Sequence, residues 1–210
     1  MLEHTFYLTA PRYTIVDFGS NIGKFHDECF SILGKANIER YIGVEPHPTL
    51  YIDHLKGRED HVTTFYNNAI ANDRESHVNF YTIEGNNECG NIIGKDGFLW
   101  QENATPIKVK TLSFNSLYQL ENLRKIDYMK VDIEGGEYDF IDSLTHYQAD
   151  LIAQLSIEFH DFVDPKLSGK THRAIRKLHE LGFEMVYSQG LDYLHRTDYA
   201  DCLFINKKLL

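Results

Sequence analysis

Acidic, amide and histidine residues follow one apolar run after another along this chain. Asp17 and Gly19 end the run at 13–18, Glu45 the run at 41–44 and Asn68 the run at 62–66. Asp132 and Glu134 follow 126–131, and Glu158 and His160 close 151–159. Ligands of open α/β sheets bind outside the carboxyl ends of the strands, where the strand order reverses. A single polar residue there would mean little, but five strand ends carrying them point to one site.

The first of these ends reads Asp17-Phe18-Gly19-Ser20-Asn21-Ile22-Gly23. Gly19 permits a turn that a Cβ would block, and Gly23 lets the next helix approach a ligand closely. An ordinary tight strand-to-helix turn would explain this loop taken alone. Glu45 adds a carboxylate at the second strand end, suited to accepting hydrogen bonds from two ribose hydroxyls. Loop and Glu45 together indicate a nucleoside-containing cofactor. A dinucleotide loop would carry glycine at position 21, where this chain has Asn21. The acidic strand end also suits a sulfonium and an amino group better than a diphosphate, which favours S-adenosylmethionine over NAD.

Methyl transfer to a hydroxyl requires removal of a proton. His160 is the preferred base, since histidine titrates near neutrality and this one stands at a strand end. Glu158 or Asp132 could orient or replace it, although one histidine among 11 is more often structural. Asp132, Glu134, Glu158 and His160 could instead converge on Mg²⁺ or a transition ion, with Glu158 and His160 on one strand face. The bland alternative has Glu134 capping the turn before Gly135-Gly136. A divalent metal is the lesser expectation, so no residue is assigned to a metal.

Hydrophobic periodicity sets the frame that must position these groups. Strands at 13–18, 41–44 and 62–66 alternate with helices at 22–33 and from Pro48 to about Lys56, the pattern of a largely parallel sheet with helices on both faces. Further strands are expected at 77–83, 107–112, 126–131, 151–159, 183–187 and 202–205, and helices at 113–120, 137–144 and 172–181. Residues 84–106, rich in Gly and Asn, read as a loop insertion, either a lid over the substrate or a variable excursion. Trp100 lies within it and could close over a ligand or simply pack on the domain. A chain of 210 residues is expected to form one domain, 1–210.

Composition narrows the partners. With 31 acidic and 21 basic residues the net charge is −10, which repels nucleic acid at long range. Arg173, Arg176 and Lys177 read as the solvated face of a helix. Cys29, Cys89 and Cys202 form no CxxC pair and no disulfide framework, so a reducing compartment is expected. No stretch reads as a signal peptide or a membrane span, which makes a cytoplasmic location the expectation. Oligomeric state is left open.

At this point a resemblance becomes visible. VDFGSNIGKF (16–25), YIGVEPHP (41–48), NNAIAN (67–72), VKTLS (109–113), DYMKVDIEGGEYDFI (127–141) and LSIEFHDF (155–162) resemble the FkbM-type methyltransferases, in family order. The KVDIEGGE segment is the most specific of them. The resemblance implies a Rossmann-like class I methyltransferase: a mostly parallel seven-stranded sheet with a terminal antiparallel strand. It implies S-adenosylmethionine as cofactor and a small-molecule or carbohydrate acceptor, methylated on a sugar or natural-product hydroxyl. Asp17, Gly19, Ser20, Asn21 and Gly23 would surround the methionine part of the cofactor. Glu45 and Pro46 would hold the ribose, Asn68 and Ala69 would lie near the adenine, and Asp132 would face the methyl-transfer site. Ser20 departs from the alanine common in the family. An NAD-dependent oxidoreductase or epimerase lacks support in a second glycine or a Tyr-x-x-x-Lys pair, and a non-catalytic S-adenosylmethionine-binding module would use the same Asp17 and Glu45.

Overall fold

A computed structural model describes residues 6–72, 74–83, 86–92, 104–161, 167–189 and 200–209. Strand β1 (Tyr13–Phe18) is buried along its whole length, as its unbroken apolar run demands of a strand covered on both faces. Helix α1 (Lys24–Leu33) follows, then β2 (Ile38–Val44). The next helix is composite. It is α-helical over α2 (Pro48–Leu50), widens into a π turn over Tyr51–Leu55 and tightens to a 3₁₀ turn over Lys56–Arg58. The periodicity predicted a single helix to Lys56. The break sends Leu50 to the ligand side and Leu55 to the core beneath α1.

After β3 (Thr63–Tyr66) come β4 (Ala69–Ile70), β5 (His77–Ile83), β6 (Asn86–Asn91) and β7 (Thr105–Leu112). The remaining elements are α3 (Phe114–Leu120), β8 (Tyr128–Val131), α4 (Glu137–Ser143), α5 (His146–Ala149), β9 (Gln154–Phe159), α6 (Ser168–Glu180), β10 (Phe183–Gln189) and β11 (Ala200–Asn206). The main sheet has seven strands in the order β10-β11-β9-β8-β1-β2-β3. Only the last strand in the chain, β11, runs antiparallel, and it is inserted between β9 and β10. This is the architecture the sequence predicted. The order reverses between β1 and β8, so the crevice for a ligand opens above their carboxyl ends.

Alternation along the strands divides the core. Val16, Phe18, Met129 and Val131 face α3, α4 and α6, whereas Ile15, Tyr41 and Tyr128 face Phe25, Cys29 and Leu33 of α1. Helices therefore cover both faces.

The strands expected at 77–83 and 107–112 are present as β5 and β7. They belong to a second, four-stranded sheet ordered β4-β7-β5-β6, with a small core of Ala69, Phe80 and Val109. The supposed loop at 84–106 also contains regular structure, because β6 pairs antiparallel with β5 and β7 starts at Thr105. Trp100 and most of the connection at 191–201 lie outside the described residues. Among the described residues no helix is long and apolar enough to cross a membrane.

Candidate active site

The loop after β1 is built on left-handed backbone. Gly19, Asn21 and Gly23 have φ of +82°, +49° and +82°. Glycine enters this region freely, and asparagine is among the few other residues that tolerate it. A Cβ on Gly19 would lie 1.7 Å from the carbonyl oxygen of Asp132, so the loop and the end of β8 are in contact through backbone alone. The Gly19 and Ser20 N–H groups donate to Val44 O at 3.0 and 3.1 Å, tying the loop to the end of β2. Ser20 Oγ donates to Asp17 O at 3.2 Å. A Cβ on Gly23 would meet Arg58 and Leu55 at 2.8 and 3.0 Å, so this glycine lets the composite helix approach the loop closely.

Glu45 is nearly buried, and backbone donors hold both of its oxygens. Oε2 accepts from Asn21 N–H at 2.9 Å and Oε1 from His47 N–H at 2.8 Å. Each oxygen has a second lone pair, so the carboxylate is oriented and still able to accept from a ligand. Asn67, which the sequence reading passed over, donates from Nδ2 to Glu45 O and Pro46 O at 2.9 and 3.1 Å. Asn68 Nδ2 donates to Thr111 O at 3.1 Å, linking this edge to the second sheet. Glu45, Pro46 and Asn68 line a cleft. Gly19, Asn21, Glu45 and Pro46 make its polar side, and Leu50, Ala69, Ile70, Phe80 and Ile92 make an apolar slot opposite.

Burial pushes the Glu45 carboxyl up from 4.5 to about 7, against the hydrogen bonds from His47 and Asn21. The folded chain therefore holds this proton more tightly than the unfolded chain. Between pH 4.5 and about 7 the folded state binds more protons, and stability falls as the pH rises through that window. Relative to Glu45→Gln, the unmodified chain should lose up to ~3 kcal/mol of unfolding free energy from pH 4.5 to 7. Urea unfolding at a series of pH values reads this directly, and a flat difference between the two proteins contradicts it.

Beside the cleft lies a more polar hollow of about 760 Å³, lined by Ser20, Lys130, Asp132, Glu134 and Glu158. The two spaces share Gly19, Asn21, Asp132 and Glu134. Asp17 lines neither. It is wholly buried, its Oδ2 accepts from Tyr41 Oη–H at 2.6 Å and its Oδ1 is 3.4 Å from Lys130 Nζ. Asp17 thus supports the loop from below. Lys130 is its register partner across the β1–β8 pairing. The ammonium donates to Gly19 O at 2.9 Å and reaches Asp132 Oδ2 at 3.2 Å. Burial works against this charge, and Asp132 and Asp17 overcome it, leaving the lysine more basic than usual.

His160 is buried among carboxylates. Its Nδ1 is 3.0 Å from Glu137 Oε1, and its Nε2 is 3.3 Å from Glu134 Oε2, 3.3 Å from Glu158 Oε1 and 3.8 Å from Asp132 Oδ1. Burial disfavours the imidazolium, but Glu137 and Glu134 outweigh it and hold the proton affinity well above the ordinary histidine value. Both ring nitrogens are therefore engaged with carboxylates. Glu134 does not cap the turn before Gly135. Glu137 does, accepting from the Ile133 and Gly135 N–H groups at 3.1 Å each. Glu134 adopts φ +51° and Gly135 φ +97°, a turn that sends Glu134 into both spaces. Burial pushes its carboxyl to about 8, with His160 opposing and neighbouring acids adding to the rise.

With this geometry in place, comparison with known proteins is informative. The model of the FkbM methyltransferase domain matches residues 17–185. The chain belongs to the FkbM methyltransferase family. That match runs from Asp17 into the start of β10 and so includes every strand end described above. No curated protein matches the sequence. Among solved structures, an FkbM methyltransferase from Methylobacillus flagellatus is 13% identical with a TM-score of 0.55, over 95% of this chain and 44% of that one. The chain thus spans less than half of that protein. Fibrillarin from Aeropyrum pernix, solved with S-adenosyl-L-methionine natively bound, is 16% identical with a TM-score of 0.52, over 95% and 70% of the two chains. Methanococcus jannaschii fibrillarin is 10% identical with a TM-score of 0.53, over 94% and 67%. At these identities the likeness is one of fold: the Rossmann-like class I methyltransferase architecture.

Sequence reasoning missed Lys130, Glu137, Asn67 and the apolar slot. A lysine inside the buried strand Tyr128–Val131, two residues before Asp132 and so on the same face, was the available signal for the first. Nothing in the sequence marked Phe80 as a wall of the cleft, because its strand pairs with partners remote in sequence.

Proposed function

We propose that this chain binds S-adenosylmethionine in the cleft beneath the second sheet and methylates a hydroxyl of a sugar, glycan or natural product presented in the adjoining hollow. The carrying observation is Glu45, fixed through both oxygens at the second strand end with lone pairs remaining for ribose hydroxyls. The slot formed by Leu50, Ala69, Ile70 and Phe80 suits a flat adenine, with Asn68 at its edge. Asp132 and Glu134 mark the passage between the two spaces, where Asp132 offers negative charge to a sulfonium. The same carboxylate disfavours a diphosphate, which weighs against NAD. The shared fold with a fibrillarin solved with bound S-adenosyl-L-methionine agrees with this reading.

When bound, S-adenosylmethionine supplies an electrophilic methyl group whose C–S electron pair returns to sulfur as the acceptor oxygen bonds to carbon. The protein holds the reactants in line and takes the hydroxyl proton. Orientation alone contributes much, since effective molarities of ~10⁵ M and above are attainable. Of the acids at the passage, Glu134 borders both spaces and, above about pH 8 where its carboxyl is ionised, is the preferred proton acceptor, with Asp132 and Glu158 beside it. His160, clamped by Glu137, positions these carboxylates. The net negative charge supports a neutral small molecule or carbohydrate over nucleic acid as acceptor. The buried free thiols of Cys29 and Cys202 accord with a reducing, cytoplasmic setting.

A labelled-methyl transfer screen across sugars, glycans, small phenols and nucleotides tests the substrate class. An O-methylated sugar or hydroxylated natural product is expected, and label found only on nitrogen would overturn the assignment. With the acceptor in hand, Glu134→Gln should lower kcat at least ~10²-fold while S-adenosylhomocysteine still binds. Unchanged turnover in that variant would place the base elsewhere.

A further inference from the structure

We propose that Asp132, Glu158 and His160 form a binding site for a divalent metal ion of the Mn²⁺ type at the wall of the acceptor hollow. One donor atom from each lies within 4.8 Å of the other two. From His160 Nε2 the distances are 3.3 Å to Glu158 and 3.8 Å to Asp132, with Glu134 also at 3.3 Å. Neighbouring donors around a six-coordinate ion with bonds of ~2.1–2.2 Å stand ~3 Å apart, so small side-chain adjustments close the set.

The other side of the imidazole supplies an independent observation. Glu137 is wholly buried and already accepts from two backbone N–H groups through the oxygen that meets His160 Nδ1. It thereby fixes the hydrogen on Nδ1 and directs the other ring nitrogen, Nε2, at three carboxylate oxygens. Three carboxyl oxygens converge on Nε2, and positive charge belongs between them. A proton on Nε2 answers one oxygen at a time, whereas a divalent ion answers all of them. Glu137 Oε2 is buried with no hydrogen-bond partner among the described residues, leaving a carboxylate whose charge a more positive imidazole would balance. A buried carboxylate gripping the far nitrogen of a histidine is the usual support for a metal-bound imidazole.

Two carboxylates with one imidazole form a mixed set, hard oxygen with borderline nitrogen, which Mn²⁺ accepts more readily than Mg²⁺. Three protein donors leave positions in a six-coordinate shell for the acceptor. The role of the ion, though not its binding, rests on the function proposed above. An acceptor hydroxyl on the ion would lose its proton to Glu134 more readily, and the freed oxygen pair would form the C–O bond.

The test is a titration of the full-length, EDTA-treated chain with Mn²⁺, following the free-ion electron paramagnetic resonance signal. We expect one ion per chain, with affinity at least ~10-fold weaker in Glu158→Gln and in Asp132→Asn and unchanged in the remote surface variant Asp150→Asn. Melting curves in EDTA confirm that each variant is folded, and Glu158, at the partly exposed rim, guards against loss of fold in His160→Ala. Stoichiometry well below one, or an affinity that Glu158→Gln and Asp132→Asn leave unchanged, overturns the site. S-adenosylhomocysteine titrated in EDTA separates the two readings: a chain that binds it but takes up no Mn²⁺ loses the metal site and keeps the methyltransferase assignment.

Discussion

Glu45→Ala is expected to weaken S-adenosylhomocysteine binding by ~10²- to 10³-fold with the sheet intact. Two charge-assisted hydrogen bonds from ribose hydroxyls, at ~1.5–3 kcal/mol each, set this scale. Alanine also releases the Asn21 and His47 N–H groups that Glu45 holds at 2.9 and 2.8 Å, which loosens the loop after β1. Glu45→Gln keeps the volume but places an amide NH₂ against one of those N–H donors. It should therefore fall between the two, and not restore full affinity. Isothermal calorimetry on the three proteins measures this, and equal affinities would remove Glu45 from the binding site.

Gly19→Ala should be the most damaging substitution to the fold. At φ +82° an alanine is strained by ~1–3 kcal/mol. Its Cβ would also sit 1.7 Å from the Asp132 carbonyl oxygen, a contact no side-chain rotation relieves. The clash parts only if the loop lifts from Val44 or β8 moves away from β1, and each route breaks backbone hydrogen bonds. A loss of ~4 kcal/mol or more is expected, a large share of the ~5–15 kcal/mol that holds a domain folded. Gly57→Ala is the control. It lies outside the left-handed region with nothing within 4 Å of a new Cβ, and should stay within ~0.5 kcal/mol of the parent in urea unfolding. Similar losses in the two variants would mean that Gly19 has no special role.

Local signals account for what the sequence made legible. Strand β1 announces itself by an apolar run closed by Asp-Phe-Gly, and β2 by one closed by Glu45, so two strand ends and their ligand-facing residues follow from period and type. The largely parallel sheet with helices on both faces follows from alternating strands and helices. The groups that escaped depend on pairings between distant segments. Asp17 shows its support of the loop only when β8 is known to lie beside β1, bringing Lys130 opposite it and leaving the carboxylate no exposed surface. His160 looks like an isolated base until Glu137, at the start of α4, closes on its Nδ1. Phe80 reaches the cleft only because β5 pairs with β7 and β7 with the two residues of β4. A strand of two residues carries no periodicity to read. Gly23 stands in a ligand-like motif, and its crowded neighbours are Leu55 and Arg58 of a helix.

The occupant of the cleft beside Glu45 decides the function. Calorimetric titration of the purified chain with S-adenosylhomocysteine, S-adenosylmethionine and NAD tests it most directly. The predicted result is one site per chain for each of the first two ligands, lost in Glu45→Ala, and no heat of binding for NAD. Binding of NAD with neither S-adenosyl compound taken up would contradict the assignment.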